Sequence, residues 1–121
     1  MVLADTSIWV DYLRHGDEGL AALLEAGDAL CHPLVVGELA CGHLHPRREI
    51  LKRVSLLPMA PAIRQAEALE LIDIHRLAGL GLGFIDVQLL GSAILAGAGL
   101  WTRDKILRKT AEKLGIGFRE A

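Results

Sequence analysis

The sequence predicts an α/β fold built on a parallel sheet, and three observations carry that prediction. Short apolar runs ended by turn residues alternate along the chain with segments whose apolar residues recur at helical spacing, the pattern of parallel strands joined by right-handed helical crossovers. The 121 residues are 52% apolar and 23% charged, enough to bury a core and far from the composition of a disordered chain. Four carboxylates, Asp5, Glu38, Asp86 and Asp104, each interrupt a stretch that otherwise reads as core. A charge at an apolar address is costly unless it is paired, neutralised or bound to a metal.

The elements follow in order. Val2-Leu3-Ala4 is a short buried strand, and Asp5-Thr6-Ser7 supplies the cap of a helix running to about Arg14. Asp17 caps a second helix, with Leu20, Leu23 and Leu24 on one face and Gly27 as its stop. Ala29 to His32 is the next strand. Pro33 suits a first helical turn, and Leu34, Val35, Leu39 and Cys41 continue it, with Glu38 the one formal charge before His45. Pro46 opens a short helix to about Leu56, and Pro58-Met59-Ala60 reads as a short strand. Pro61 then begins a long helix to about Ala78, through Ile63, Ala66, Leu69, Ile72 and Ile74, ended by Gly79, Gly81 and Gly83. Phe84 to Ala96 is apolar apart from Asp86, Gln88 and Ser92, as a central helix packed on a sheet would be. Leu100-Trp101-Thr102 is a strand, Arg103 to Leu114 a basic helix, and Gly117-Phe118-Arg119 an edge strand. With no linker, repeat or low-complexity segment, residues 1–121 read as a single domain.

Several classes are disfavoured. Leu89 to Trp101 is apolar but falls short of the ~20 residues of a membrane span, and the N-terminal residues lack the pattern of a secretory leader, so a cytoplasmic protein is expected. Cys31 and Cys41 have no CxxC partner and read as free, buried thiols. His32, His43, His45 and His75 show no metal-site spacing and read as surface or interface residues. A net charge of -2 does not announce a nucleic-acid binder, although Arg47, Arg48, Lys52 and Arg53 form one basic cluster and Arg103, Lys105, Arg108, Lys109 and Lys113 another.

In open parallel sheets ligands bind beyond the carboxyl ends of the strands. Asp5 and Asp104 each follow a predicted strand there, and Glu38 and Asp86 lie on helices that reach the same edge. Carboxylates so gathered repel one another unless cations neutralise them. Oxygen ligands suit a hard ion, Mg2+ or Mn2+, and the chemistry that fits is metal-assisted phosphodiester hydrolysis.

These residues also carry a resemblance. Val2-Leu3-Ala4-Asp5-Thr6-Ser7, Val36-Gly37-Glu38-Leu39-Ala40, Phe84-Ile85-Asp86-Val87 and Leu100-Trp101-Thr102-Arg103-Asp104 resemble the acidic motifs of PIN-domain ribonucleases, and the motif order resembles the VapC-type toxins of toxin-antitoxin pairs. The resemblance implies a three-layer α/β/α fold with a parallel five-stranded sheet. It implies a magnesium-dependent endoribonuclease that cuts structured RNA such as tRNA or rRNA. Catalysis and metal binding would fall to Asp5, Glu38, Asp86 and Asp104, with Thr6, Ser7 and Thr102 supporting. It further implies a homodimer and a small VapB-like antitoxin that reaches into the acidic site with a basic side chain.

Arg103, Lys105, Arg108 and Lys109 adjoin the proposed site and are expected to hold the RNA backbone. Ile8, Trp9, Tyr12 and Leu13 offer a partner-contact surface, and the Pro33–Leu44 and Pro61–Ala78 helices a dimer interface. Two other functions compete. A phosphoaspartyl phosphatase would use Asp5 as nucleophile but usually carries a second Asp two residues on, where Ser7 stands. A non-catalytic, magnesium-binding signalling domain would place a Lys near the acidic pocket, where the chain offers Lys105 displaced into a helix.

Overall fold

The sheet grows outward from the first strand. In the computed structural model, which describes residues 1–120, β1 (Val2–Ala4) pairs in parallel with β2 (Ala29–Leu30) on one side and β3 (Gly99–Trp101) on the other. Leu3 lies opposite both Leu30 and Leu100, and all of β1 is buried, which is why its sequence carries no polar alternation. Seven helices complete the described fold: α1 (Thr6–His15), α2 (Glu18–Glu25), α3 (Pro33–Ala40), α4 (Arg47–Ser55), α5 (Gln65–Ile74), α6 (Phe84–Ala96) and α7 (Lys105–Lys113). Helix α1 packs on α2 and α3, α3 on α4, and α5 on α6, which itself covers β1 and β3. Among the described residues no helix is long and apolar enough to cross a membrane.

The expected five strands are corrected to three. The outer two are reduced to single parallel bridges, Met59 beside Cys31 and Gly117 beside Leu100. Each bridge is still held from both sides. The Cys31 amide donates to Pro58 O and the Ala60 amide to Cys31 O, both at 2.8 Å, and Leu100 and Phe118 make the matching pair with Ile116 and Leu100 at 2.7 and 3.0 Å. Pro58 has no N–H to extend the first ladder. The segments therefore lie where the sequence puts them but are too short to form strands.

The predicted Pro61–Ala78 helix is also corrected, to Gln65–Ile74. Residues 61–64 instead cross α6, where Ile63 rests against Gly91 so closely that a Cβ there would collide with it. The helix begins only where the Glu67 carboxylate accepts the Arg64 amide at 2.9 Å. Of the two cysteines, Cys31 is buried as expected and Cys41 is exposed.

His32 departs most from expectation: it is 1% exposed. It caps α3 by accepting the Leu34 amide on Nδ1 at 3.0 Å, which leaves the proton of the neutral ring on Nε2, 2.9 Å from the Ser92 hydroxyl of α6. This one ring therefore joins the helices that carry Glu38 and Asp86. Burial lowers its pKa from 6.5, so its contribution to stability is complete above that value and is lost as pH falls below it. Urea unfolding from pH 7.5 to 5 should show that acid loss in the wild type and not in His32→Ala. The variant should also be less stable at pH 7.5 by about 2–4 kcal/mol, from the lost cap and the stranded Ser92 hydroxyl.

Candidate active site

The order of the sheet fixes where the site can be. From β1 the chain builds outward through β2 to Met59, then returns to lay β3 against the other side of β1. The direction of winding reverses between β1 and β3, the position at which an open parallel sheet leaves a crevice beyond its strand ends. Asp5 leaves β1 there, and Thr102-Arg103-Asp104 leaves β3.

Asp5 is 7% exposed, and both of its oxygens are engaged. Oδ1 accepts the Ser7 amide at 2.6 Å and the Ser7 hydroxyl at 2.5 Å, and Oδ2 accepts the Thr102 hydroxyl at 2.5 Å. The same hydroxyls reach onward: Ser7 Oγ accepts the Arg103 amide and Thr102 Oγ1 the Asp104 amide, each at 3.0 Å. Asp104 caps α7 through Oδ1, which accepts the Leu107 amide at 2.9 Å. Thr6, the first residue of α1, donates its hydroxyl to Glu38 Oε1 on α3 at 2.7 Å. Asp86, in the first turn of α6, accepts the Gly83 amide on Oδ2 at 2.9 Å. Hydroxyls and amides thus orient all four carboxylates, and Thr6, Ser7 and Thr102 each hold at least one of them.

The sequence placed all four at buried addresses, and that is corrected. Asp86 is half-buried, while Glu38 and Asp104 are exposed. The apolar neighbours that made them look internal, Val35 and Leu39 on α3 and Leu107 on α7, take the buried positions of those helices and leave the acids at the rim.

The charges remain coupled. The Asp86 pKa is raised first by burial and then by the negative charges of Asp104, Asp5 and Glu38, with the Gly83 amide opposing. Among the described residues none of the four forms an ion pair. Glu38 Oε2, Asp86 Oδ1 and Asp104 Oδ2 accept no protein hydrogen bond there either. Nor do any three Asp, Glu, His or Cys groups of the described residues stand close enough to make a finished ligand set. An all-oxygen donor set with free lone pairs and mutual repulsion fits a hard divalent ion that keeps much of its water, and not a closed cage.

The basic residues separate into two groups. The sequence assigns Arg103 to the RNA backbone, but its guanidinium is taken up by Asp17 at 2.7 Å, Asp11 at 3.0 Å and Glu120 at 3.3 Å. Lys105, Arg108 and Lys109 are exposed on α7 and form no ion pair among the described residues. Asp11 and Glu120 are the site-adjacent residues that sequence reading misses. Neither lies in a motif, and their meeting with Arg103 spans long stretches of chain.

Residues 2–113 match the family model for the PIN domain. The chain belongs to the PIN-domain family. Ribonuclease VapC32 of Mycobacterium tuberculosis (strain CDC 1551 / Oshkosh) is 43% identical to this PIN domain over 121 residues, 99% of this chain and 98% of its own. The protein of the same name from strain ATCC 25618 / H37Rv matches equally, at 43% over the same span. End-to-end identity at that level places this PIN domain in the VapC branch. PAE2754 from Pyrobaculum aerophilum, known from its crystal structure, shares the fold with a TM-score of 0.66 at 18% identity, over 93% of this chain and 90% of that one.

The repulsion at Asp86 has a measurable cost. Asn at this position can still accept the Gly83 amide but carries no charge, so Asp86→Asn should melt slightly higher than the metal-free wild type at pH 7, by under about 1 kcal/mol after solvent screening. A raised carboxyl pKa means stability is gained on protonation. The advantage of the variant should therefore be greatest near neutrality and vanish as pH falls below 3.8, as thermal melts in chelator at several pH values would record.

Proposed function

We propose that this chain is a divalent-cation-dependent endoribonuclease toxin that cuts structured RNA, tRNA or rRNA, in the cytoplasm and is held inactive by a small VapB-like antitoxin. The nuclease class rests on family: a PIN domain whose relatives of 43% identity are named ribonucleases is a phosphodiester hydrolase. The single observation that carries the finer reading is the set of four carboxylates at the strand ends, near enough that the charges of Asp104, Asp5 and Glu38 add to burial in raising the Asp86 pKa, with none of the four ion-paired among the described residues.

Asp5, Glu38, Asp86 and Asp104 would hold the cation, Mg2+ or Mn2+. Once bound, it would lower the pKa of a coordinated water and offset charge building on the scissile phosphate. The chain's own residues do the rest. Asp5 is fixed on both oxygens by Ser7 and Thr102, so it serves as an oriented anchor and not as a nucleophile, which disfavours the phosphoaspartyl reading. Thr6 keeps Glu38 turned toward α1. Lys105, Arg108 and Lys109, which form no ion pair among the described residues, would hold flanking phosphates, so that the acidic residues lie beside a basic helix and the net charge stays near zero.

Two surfaces support the partner assignments. Ile8 and Trp9 are buried, at 0% and 2% exposure, so the expected partner surface contracts to the half-buried Tyr12 and Leu13. These line a mostly apolar groove of about 290 Å³ with Leu24, Ile50 and Leu57, to which an edge of Trp9 and the Arg53 side chain also contribute, and which suits the apolar face of an antitoxin segment. A basic side chain from that segment entering the acidic site would compete with the cation. For the homodimer, α3 leaves no large apolar side chain exposed, whereas Leu69 and Ile74 on α5 and Ile94 and Leu95 on α6 are exposed.

Asp5→Asn, Glu38→Gln, Asp86→Asn and Asp104→Asn should each lower RNA cleavage by more than about 100-fold, above the range for residues that merely support metal ligands. Cleavage at the wild-type rate by folded variants would overturn the assignment. Light scattering of the free chain should report twice 13.1 kDa, and Leu95→Asp should return it to the monomer mass. A wild-type monomer at micromolar concentration would remove the dimer.

A further inference from the structure

Arg103 sits between the two residues that this reading puts at the heart of the site, yet its side chain points into a different set of contacts. Its three donor nitrogens are spread over three carboxylates from separate parts of the chain: Nε to Asp11 of α1 at 3.0 Å, Nη2 to Asp17 at the start of α2 at 2.7 Å, and Nη1 to Glu120 near the C-terminus at 3.3 Å. Asp17 is itself fixed, because its other oxygen caps α2 at the Leu20 amide at 3.0 Å. The guanidinium carbon lies 5.7 Å from the centre of the Trp101 ring. That ring is wedged between Phe118, at 5.3 Å between centroids, and Gly19 of α2, where a Cβ would stand 3.0 Å away. Each arm of the planar fork thus has its own acceptor, an arrangement that a point-charge ammonium cannot reproduce.

The backbone of the same residue faces the acidic cup. Its amide donates to Ser7 Oγ at 3.0 Å, and Ser7 Oγ donates to Asp5. On either side, Thr102 donates to Asp5 and Asp104 presents its free oxygen. The three-residue segment that carries Thr102 and Asp104 is therefore pinned by its side chain on one side and by its amide on the other.

We propose that Arg103 is a positioning residue for the cation site: its carboxylate-held side chain fixes the Thr102–Asp104 segment so that Asp104 and Asp5 can share one divalent ion. The proposal rests on the metal-dependent nuclease reading, and it replaces direct RNA contact as the role of this arginine. Charge makes the two roles separable. Removing a cation near an acidic cup would by itself tighten metal binding, so weaker binding can come only from lost geometry.

The test is calorimetric titration of Mn2+ into the metal-free protein, alongside cleavage of an RNA substrate across its concentration range at saturating Mn2+. Arg103→Ala should weaken Mn2+ binding by about 10-fold, the scale for residues that hold metal ligands in place. KM for RNA at saturating cation should stay within about twofold of wild type. Arg103→Lys, which keeps the charge but not the fork, should recover only part of the loss. If Arg103→Ala does not fold, Arg103→Gln, which keeps one donor group, carries the same expectation. Unchanged or tighter Mn2+ binding in a folded Ala or Gln variant overturns the proposal, as does a raised KM for RNA with unaltered Mn2+ affinity. Wild-type protein that binds Mn2+ yet cleaves no RNA would instead overturn the nuclease reading and leave the positioning role standing.

Discussion

A buried carboxylate, Asp5, that forms no ion pair among the described residues is the constraint around which this structure is arranged. Asp5 ends the central strand, and an ionised group there would be prohibitively costly without compensation. Three donors, the Ser7 amide, the Ser7 hydroxyl and the Thr102 hydroxyl, supply it. Because Thr102 directly follows the strand on the other side of the winding reversal, the bonds that stabilise Asp5 also tie the ends of β1 and β3 together. Satisfying one charge therefore joins the two strand ends at which the candidate site lies.

The other acids are treated differently. Each has one oxygen satisfied by the fold and one left over, and each sits nearer solvent. Helix capping achieves this economically: an Asp at the first turn of α7 or α6 stabilises its helix with one oxygen and presents the other to the crevice. Capping and ligation are thus compatible uses of the same residue, and the capping role of Asp104 says nothing against a catalytic one. The Asp86 pKa is raised first by burial and then by the charges of Asp104, Asp5 and Glu38, a cost to the bare chain that a bound cation would relieve.

Charge elsewhere is sorted by the same logic. Asp5, Glu38, Asp86 and Asp104 form no ion pair among the described residues, while close by three other carboxylates converge on one guanidinium. Arg103 is committed to them, whereas Lys105, Arg108 and Lys109 of α7 are exposed and form no ion pair among the described residues. The net charge of -2 is the sum of these opposed patches and describes neither of them.

The sequence by itself determined the fold class, the helix starts at Asp5, Asp17 and Pro33, and the four acids offered as a candidate site, while the last helix, read from Arg103, begins at Lys105 under an Asp104 cap. Each of these follows from local rules: apolar runs, cap residues, and charges out of place in apolar segments. It put the outer strands at the right residues but could not say that Met59 and Gly117 would make single bridges, because ladder length depends on how neighbours meet. It overextended the fifth helix, since Pro61 is a good helix opener until Ile63 is drawn down onto Gly91. It left His32 at the surface or an interface, whereas the fold buries the ring against Ser92, and it did not reveal the three carboxylates that meet the Arg103 guanidinium. Both have one physical cause: the partners that decide these side chains, Ser92 for one and Asp11, Asp17 and Glu120 for the other, are distant in sequence and become neighbours only when the chain is folded. Identity and periodicity are written along the chain, whereas burial and pairing across it are properties of the packed molecule.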